Sequence, residues 1–167
     1  MASMLTCASA PAGAETFEHI LAAPSGLVVL SSTDVPSLVD QFRAFARHTG
    51  QALYLWQPEQ GLMSLRDAQG GVPDCQRLGN ALRHMQHSLH FGVYFLVGVT
   101  LPLSAVDCAL LRKLARAPKE QVRRVVLVDP PATLVKFLGE LVVNLQCVDN
   151  RAPRLRLRDG RWLLATA

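Results

Sequence analysis

"GLVVLSSTDVPSLVDQF", residues 26–42, reads as a buried strand, a short turn and the first turns of a helix. Leu27–Leu30 is a continuous apolar run of strand length. Pro36 stands at an early helical position, where its missing N–H costs nothing. Leu38, Val39, Phe42, Phe45 and Ala46 then recur at helical spacing, and Gly50 ends the segment. In many α/β proteins such a junction holds a nucleotide's phosphates. Its residues therefore decide whether the fold carries nucleotide chemistry.

They do not support it. A phosphate cradle needs glycines, so that backbone N–H groups can close around the anion, and usually a lysine to neutralise it. "SSTDVPS" contains neither, and Asp34 would repel a phosphate. The chain has three lysines, Lys113, Lys119 and Lys136, and none follows a glycine. Neither G-x-x-x-x-G-K-[ST] nor G-x-G-x-x-G occurs. No cofactor is expected.

Outward from this junction, apolar runs keep alternating with helix-period segments. Strands are expected over Ala52–Trp56, Val93–Val99, Val125–Val128 and near Val142–Val148. The stretch containing Gly61, Gly70, Gly71 and Pro73 reads as a long polar loop. A second helix is expected from about Asp74 to Leu89, with Leu78, Leu82, Met85 and Leu89 on one face. A third opens at Ser104, with Asp107 placed as in a capping box, and buries Val106, Leu110, Leu111 and Leu114. A fourth spans about Thr133 to Leu141. Continuous Val/Leu strands separated by helices point to a parallel sheet covered on both faces. The ending, "PRLRLRDGRWLLAT", sets Asp159-Gly160 between two alternating segments, a hairpin signal. The expected fold is α/β: a Rossmann-like or RecA-like, doubly wound, mostly parallel sheet of about five strands, with a C-terminal antiparallel hairpin. Residues 1–17 read as a flexible arm, 18–150 as the core domain and 151–167 as an Arg-rich hairpin packed on the sheet edge.

Composition agrees with a single compact domain of 167 residues, 50% hydrophobic and 18% charged. No apolar run approaches the ~20 residues that span a bilayer. The amino terminus lacks a basic, then apolar, leader pattern, which leaves the cytoplasm as the expected compartment. Cys7, Cys75, Cys108 and Cys147 form no C-x-x-C pair, and no metal site is expected. The net charge of +4 is unevenly spread. Residues 1–150 carry 12 basic and 12 acidic side chains, whereas 151–167 carry five arginines against Asp159.

Other features read as structural first. Asp129, at the end of "RRVVLVDPP", has the outline of a metal-positioning acid but lacks a phosphate loop opposite it. His84, His87 and His90 step around a helix too far for all three to meet one ion. The hairpin is the most distinctive surface. Arg154, Arg156 and Arg158 alternate with Leu155 and Leu157, and Arg161 and Trp162 follow the turn. Such an edge could contact an acidic protein, bind nucleic acid through phosphates, or merely guard the sheet against aggregation.

"LVDQFRAFARHTGQALYLWQPEQGL", residues 38–62, resembles a strand–helix–strand unit in the N-terminal domain of a bacterial and plastid class of AAA-type ATPases. The matching positions are Gly50, Leu53, Tyr54, Trp56, Gly61 and Leu62. "VYFLVGVTLPL" and "RVVLVDPP" are similar to later strands of that domain. The stretch "NALRHMQHSLHFGVYFLVGV" is also similar to small RecA-like proteins without a P-loop, among them cell-division inhibitors. Both resemblances imply a nucleotide-binding-type fold stripped of its nucleotide site, with no catalytic residue carried over. The expected function is a non-enzymatic interaction or regulatory adaptor of a bacterial assembly. Its contact surface is expected to combine Arg154, Arg156, Arg158, Arg161 and Trp162 with the Trp56–Gly71 loop. The alternatives are a nucleotide sensor or hydrolase using Asp34 and Asp129, and a nucleic-acid binder using the hairpin.

Overall fold

The computed structural model describes residues 13–67, 71–88, 90–116 and 123–146, together with the backbone of 155–158 and 161–164. In chain order the elements are α1 (Ala14–Ala22), β1 (Leu27–Ser31), α2 (Val35–Thr49), β2 (Leu53–Gln57), β3 (Gly61–Ser64), α3 (Leu78–His87), β4 (Gly92–Val97), α4 (Ala105–Ala115), β5 (Arg123–Val128), α5 (Ala132–Leu138), the 3-10 turn Gly139–Leu141, β6 (Val143–Gln146), β7 (Leu155–Arg158) and β8 (Arg161–Leu164). Six strands form one sheet in the order β3-β2-β4-β5-β1-β6, all parallel except the β2–β3 pair. Helices cover both faces, as the doubly wound reading anticipates.

Alternation along the strands sorts the core into two layers. Leu27, Val29, Tyr94, Leu96, Val125 and Leu127 face α3, α4 and α5. Val28, Leu30, Leu53, Val93, Val126 and Val128 face α1 and α2. Every residue of β5 is buried, the signature of a central parallel strand. Across the β2–β4 pair, Tyr54 stacks on its register partner Tyr94 with ring centroids 4.9 Å apart. The β5 strand opens with two arginines that side-chain alternation sends to opposite layers. Arg123 donates to the carbonyls of Met85, Gln86 and Ser88, closing the carboxyl end of α3. Arg124 donates to the carbonyls of Leu21 and Ala23 at the end of α1, at 3.2 and 3.3 Å. Each cation thus meets the negative end of a helix. Burial lowers both guanidinium pKa values.

The structure corrects several expectations. The stretch read as a long polar loop contains β3, which pairs antiparallel with β2 and raises the sheet to six strands. Trp56, Gly61, Leu62 and Leu65 are buried there, so part of the Trp56–Gly71 segment is framework, while Pro58–Gln60, Arg66 and Asp67 are exposed. Trp56 donates its indole N–H to the Cys75 carbonyl at 3.1 Å. Helix α1 takes in residues 14–17, assigned to an arm from sequence, because Phe17 and Ile20 sit in the core. Helix α3 starts at Leu78 and not near Asp74, since Asp74 has a left-handed φ of 59° and Arg77 is extended. Val106 is exposed, not buried; Asp107 takes the inward phase in the first turn of α4. The 3-10 turn replaces the last turn expected of the fourth helix.

One glycine fixes how close α4 lies to the sheet. Gly26 donates to the Ala115 carbonyl at 3.2 Å, and a Cβ there would overlap the Leu114 carbonyl oxygen. Backbone cannot yield as a flexible side chain can. Gly26→Ala is expected to lower unfolding stability by about 3 kcal/mol in urea titration. Gly71→Ala, where a Cβ meets nothing within 4 Å, serves as the near-neutral comparison.

Candidate functional site

In open α/β sheets, ligands bind beyond the carboxyl ends of strands, where successive connections diverge to opposite faces. Here that point lies between β1 and β5. The connection after β1 passes through α2 on one face towards β2. The connection after β5 passes through α5 on the other face towards β6. The crevice is framed by Ser31–Asp34 and Asp129.

Three of its backbone N–H groups, those of Ser32, Asp34 and Ser37, donate to the chain's own side chains. Asp129 Oδ1 accepts from the Ser32 N–H at 3.0 Å. Ser32 Oγ accepts from the Asp34 N–H at 3.2 Å, and Asp34 Oδ1 accepts from the Ser37 N–H at 3.1 Å. Pro36 occupies the first turn of α2 and has no N–H to offer. A helix N-terminus attracts anions through free N–H groups; at this one, two protein carboxylates stand where a phosphate would. Asp129 also adopts a left-handed φ of 46°, tolerable for Asp because its short side chain bonds locally. The structure therefore brings Asp34 and Asp129 to one edge, but as caps linked through Ser32.

The remaining candidates lie elsewhere. His84 and His87 are exposed on α3, and His90 lies beyond its end. Among the described residues no group of three His, Cys, Asp or Glu is arranged to hold a metal ion. The Cys75 thiol is free and buried; burial raises its pKa, with Asp74 adding to the effect. Cys108 is free and partly buried; Cys7 and Cys147 lie outside the described residues. A groove of about 300 Å³ between α2 and the β2–β3 hairpin is lined by Arg43, Arg47, Gln60, Ser64 and Asp67, with both signs of charge present. No helix of the described residues is long and apolar enough to cross a membrane.

The hairpin strands β7 and β8 pair antiparallel as a sheet of their own. Arg156 lies opposite Leu163, Leu157 opposite Trp162 and Arg158 opposite Arg161. In an antiparallel ladder, directly opposed positions share a face. Positions 156, 158 and 161 therefore share one face, while position 162 falls on the other with 155 and 157. Arg154 lies outside the described residues. The functional reading from sequence missed the arginines at the head of β5. "RR" before an apolar run looks like solvated charge, and only the sheet order reveals helix ends above and below it.

The Asp129 contact makes a graded prediction. Asn keeps an acceptor and tolerates the left-handed backbone, so Asp129→Asn is expected to stay within about 0.5 kcal/mol of the parent. Asp129→Ala loses the acceptor and strains the backbone, at a cost of about 2 kcal/mol by thermal or urea unfolding.

The six positions that carry the family resemblance act as framework. Gly50 caps α2 with φ 74°, and Gly61 turns into β3 with φ 74°. Leu53, Trp56 and Leu62 are core, and Tyr54 stacks on Tyr94. No curated protein and no solved structure matches the chain. The family model described as "SpoVK-like AAA ATPase, N-terminal domain" matches residues 14–147, all of the six-stranded sheet and its helices. The chain belongs to the SpoVK-like AAA ATPase N-terminal domain family.

Proposed function

We propose that this chain is a non-enzymatic docking domain, an adaptor or regulatory element of a bacterial assembly that works through its surface and binds no nucleotide. The family is that of a non-catalytic part of an AAA ATPase, a module type suited to protein interaction. The observation that carries the reading is the corner between β1 and β5, where the Asp129 and Asp34 carboxylates accept from the backbone N–H groups of Ser32 and Ser37. An incoming triphosphate would have to displace two carboxylates of its own sign. The free thiols of Cys75 and Cys108 fit a reducing compartment, and the cytoplasm is the proposed location.

The proposed contact is the arginine ribbon, residues Arg154, Arg156, Arg158, Arg161 and Trp162, reading an acidic protein surface. Three of these positions share one face of the β7–β8 pair. By backbone register, position 162 falls on the other face of the pair, with 155 and 157.

Two measurements test this. ATP or GTP at millimolar concentration with Mg²⁺ is expected to leave the melting temperature within about 1 °C, because a ligand stabilises only what it binds. A clear rise that Asp129→Asn removes would overturn the docking reading in favour of a nucleotide sensor. The Arg156→Glu/Arg158→Glu chain is expected to recover at least tenfold less of the acidic proteins retained by the parent. Equal recovery, or a parent that prefers duplex DNA with a steep salt dependence, would overturn the ribbon assignment.

A further inference from the structure

The core's charges cancel in the sequence but not in space. The exposed surface of the α3–α4–α5 layer presents Arg77, Arg83, Arg112, Lys113, Arg116 and Lys136. Within those helices and the 3-10 turn after α5, the acids are Asp107, half-buried beside Gly79 of α3, and exposed Glu140; Asp74, also exposed, lies three residues before Arg77. The opposite layer holds Glu15 and Glu18 on α1 and Asp40 on α2, interspersed with Arg43 and Arg47. The three helices of the basic layer are continuous. Gly79 lets α3 approach the first turn of α4, and Arg112 of α4 lies 4.5 Å from the centroid of the Phe137 ring on α5.

This layer also holds large apolar groups that the core leaves out. Phe137 is 50% exposed and Val106 52% exposed, with Leu101 at 41% in the loop leading into α4. Phe137 lies among Arg112 and Lys136, and Val106 occupies the first turn of the same helix as Arg112 and Lys113. Aromatic and Arg side chains are enriched among residues that anchor protein interfaces. A phosphate backbone offers nothing for Val106 or Leu101 to bury. An acidic amphipathic helix offers both carboxylates for the cations and an apolar stripe for Phe137 and Val106.

We propose that the α3–α4–α5 layer is a docking face for an acidic amphipathic helix of a partner protein, anchored at Phe137 and Val106 and steered by Arg112, Lys113, Arg116 and Lys136. The proposal rests on the docking reading of the domain but uses a surface separate from the arginine ribbon. Cations around an apolar anchor speed encounter and set orientation, while burial of the anchor supplies affinity.

The test uses the full chain and a synthetic 20-residue helical peptide with Glu on one face and Leu and Phe at i, i+3, i+4 and i+7 on the other. The comparison probe is its twin with every Glu replaced by Lys. The expected result is saturable binding of the acidic peptide by fluorescence anisotropy, at least tenfold tighter than the twin and weakened by salt. Phe137→Ala and Lys113→Glu/Arg116→Glu, each at an exposed position and checked for unchanged melting temperature, should each weaken it at least tenfold. Arg156→Glu/Arg158→Glu should leave it unchanged, so loss of the ribbon contact and loss of this face are told apart. Failure to prefer the acidic peptide, or equal binding by parent and both helix-face variants, overturns the proposal. Displacement of the peptide by an equimolar 20-base-pair DNA duplex overturns it too, by assigning the cations to nucleic acid.

Discussion

The two guanidinium groups at the head of β5 hold the architecture in place. A central parallel strand buried on both faces has no room for charge unless the charge is answered. Arg123 and Arg124 are answered by carbonyl oxygens at the ends of α3 and α1, one helix from each layer. Hydrogen bonds to a charged group contribute about 1.5–3 kcal/mol, more than neutral ones. A single dipeptide thus registers both helical layers against the same strand. The Nε of Arg124 is buried without a hydrogen-bond partner, the local desolvation cost of seating a cation at that depth.

How much of this was legible in the sequence depended on whether the signal was local. Strands β1, β2, β4 and β5 and helices α2 and α4 announce themselves through apolar period, Pro36, Gly50 and the Ser104 cap, all readable within a few residues. Strand β3 was not legible: Gly61–Ser64 is four residues long and is stabilised by pairing with β2, a tertiary fact. Helix α1 was hidden because its Ala-rich surroundings look like a linker until Phe17 and Ile20 find the sheet. That neither phosphate-loop motif occurs was readable from residue types alone. That Asp129 reaches across 97 residues to the amide of Ser32 was not.

Charge shows the same division. A sum over residues 1–150 is neutral and predicts no electrostatic preference for the core. The fold then sends Arg112, Lys113, Arg116 and Lys136 outward on one layer, whereas the other mixes Glu15, Glu18 and Asp40 with Arg43 and Arg47. Helical period accomplishes this: the buried stripe of α4 is Leu110, Leu111 and Leu114, which leaves its cations no direction but solvent. The family positions Gly50, Leu53, Trp56, Gly61 and Leu62 have a different job, since each maintains a turn or fills the core.

The bond between Asp129 and Ser32 has a mechanical meaning. It ties the root of α2, in one layer, to the strand end that leads into α5, in the other. The contact adds a side-chain link between the two layers at the corner where their connections diverge.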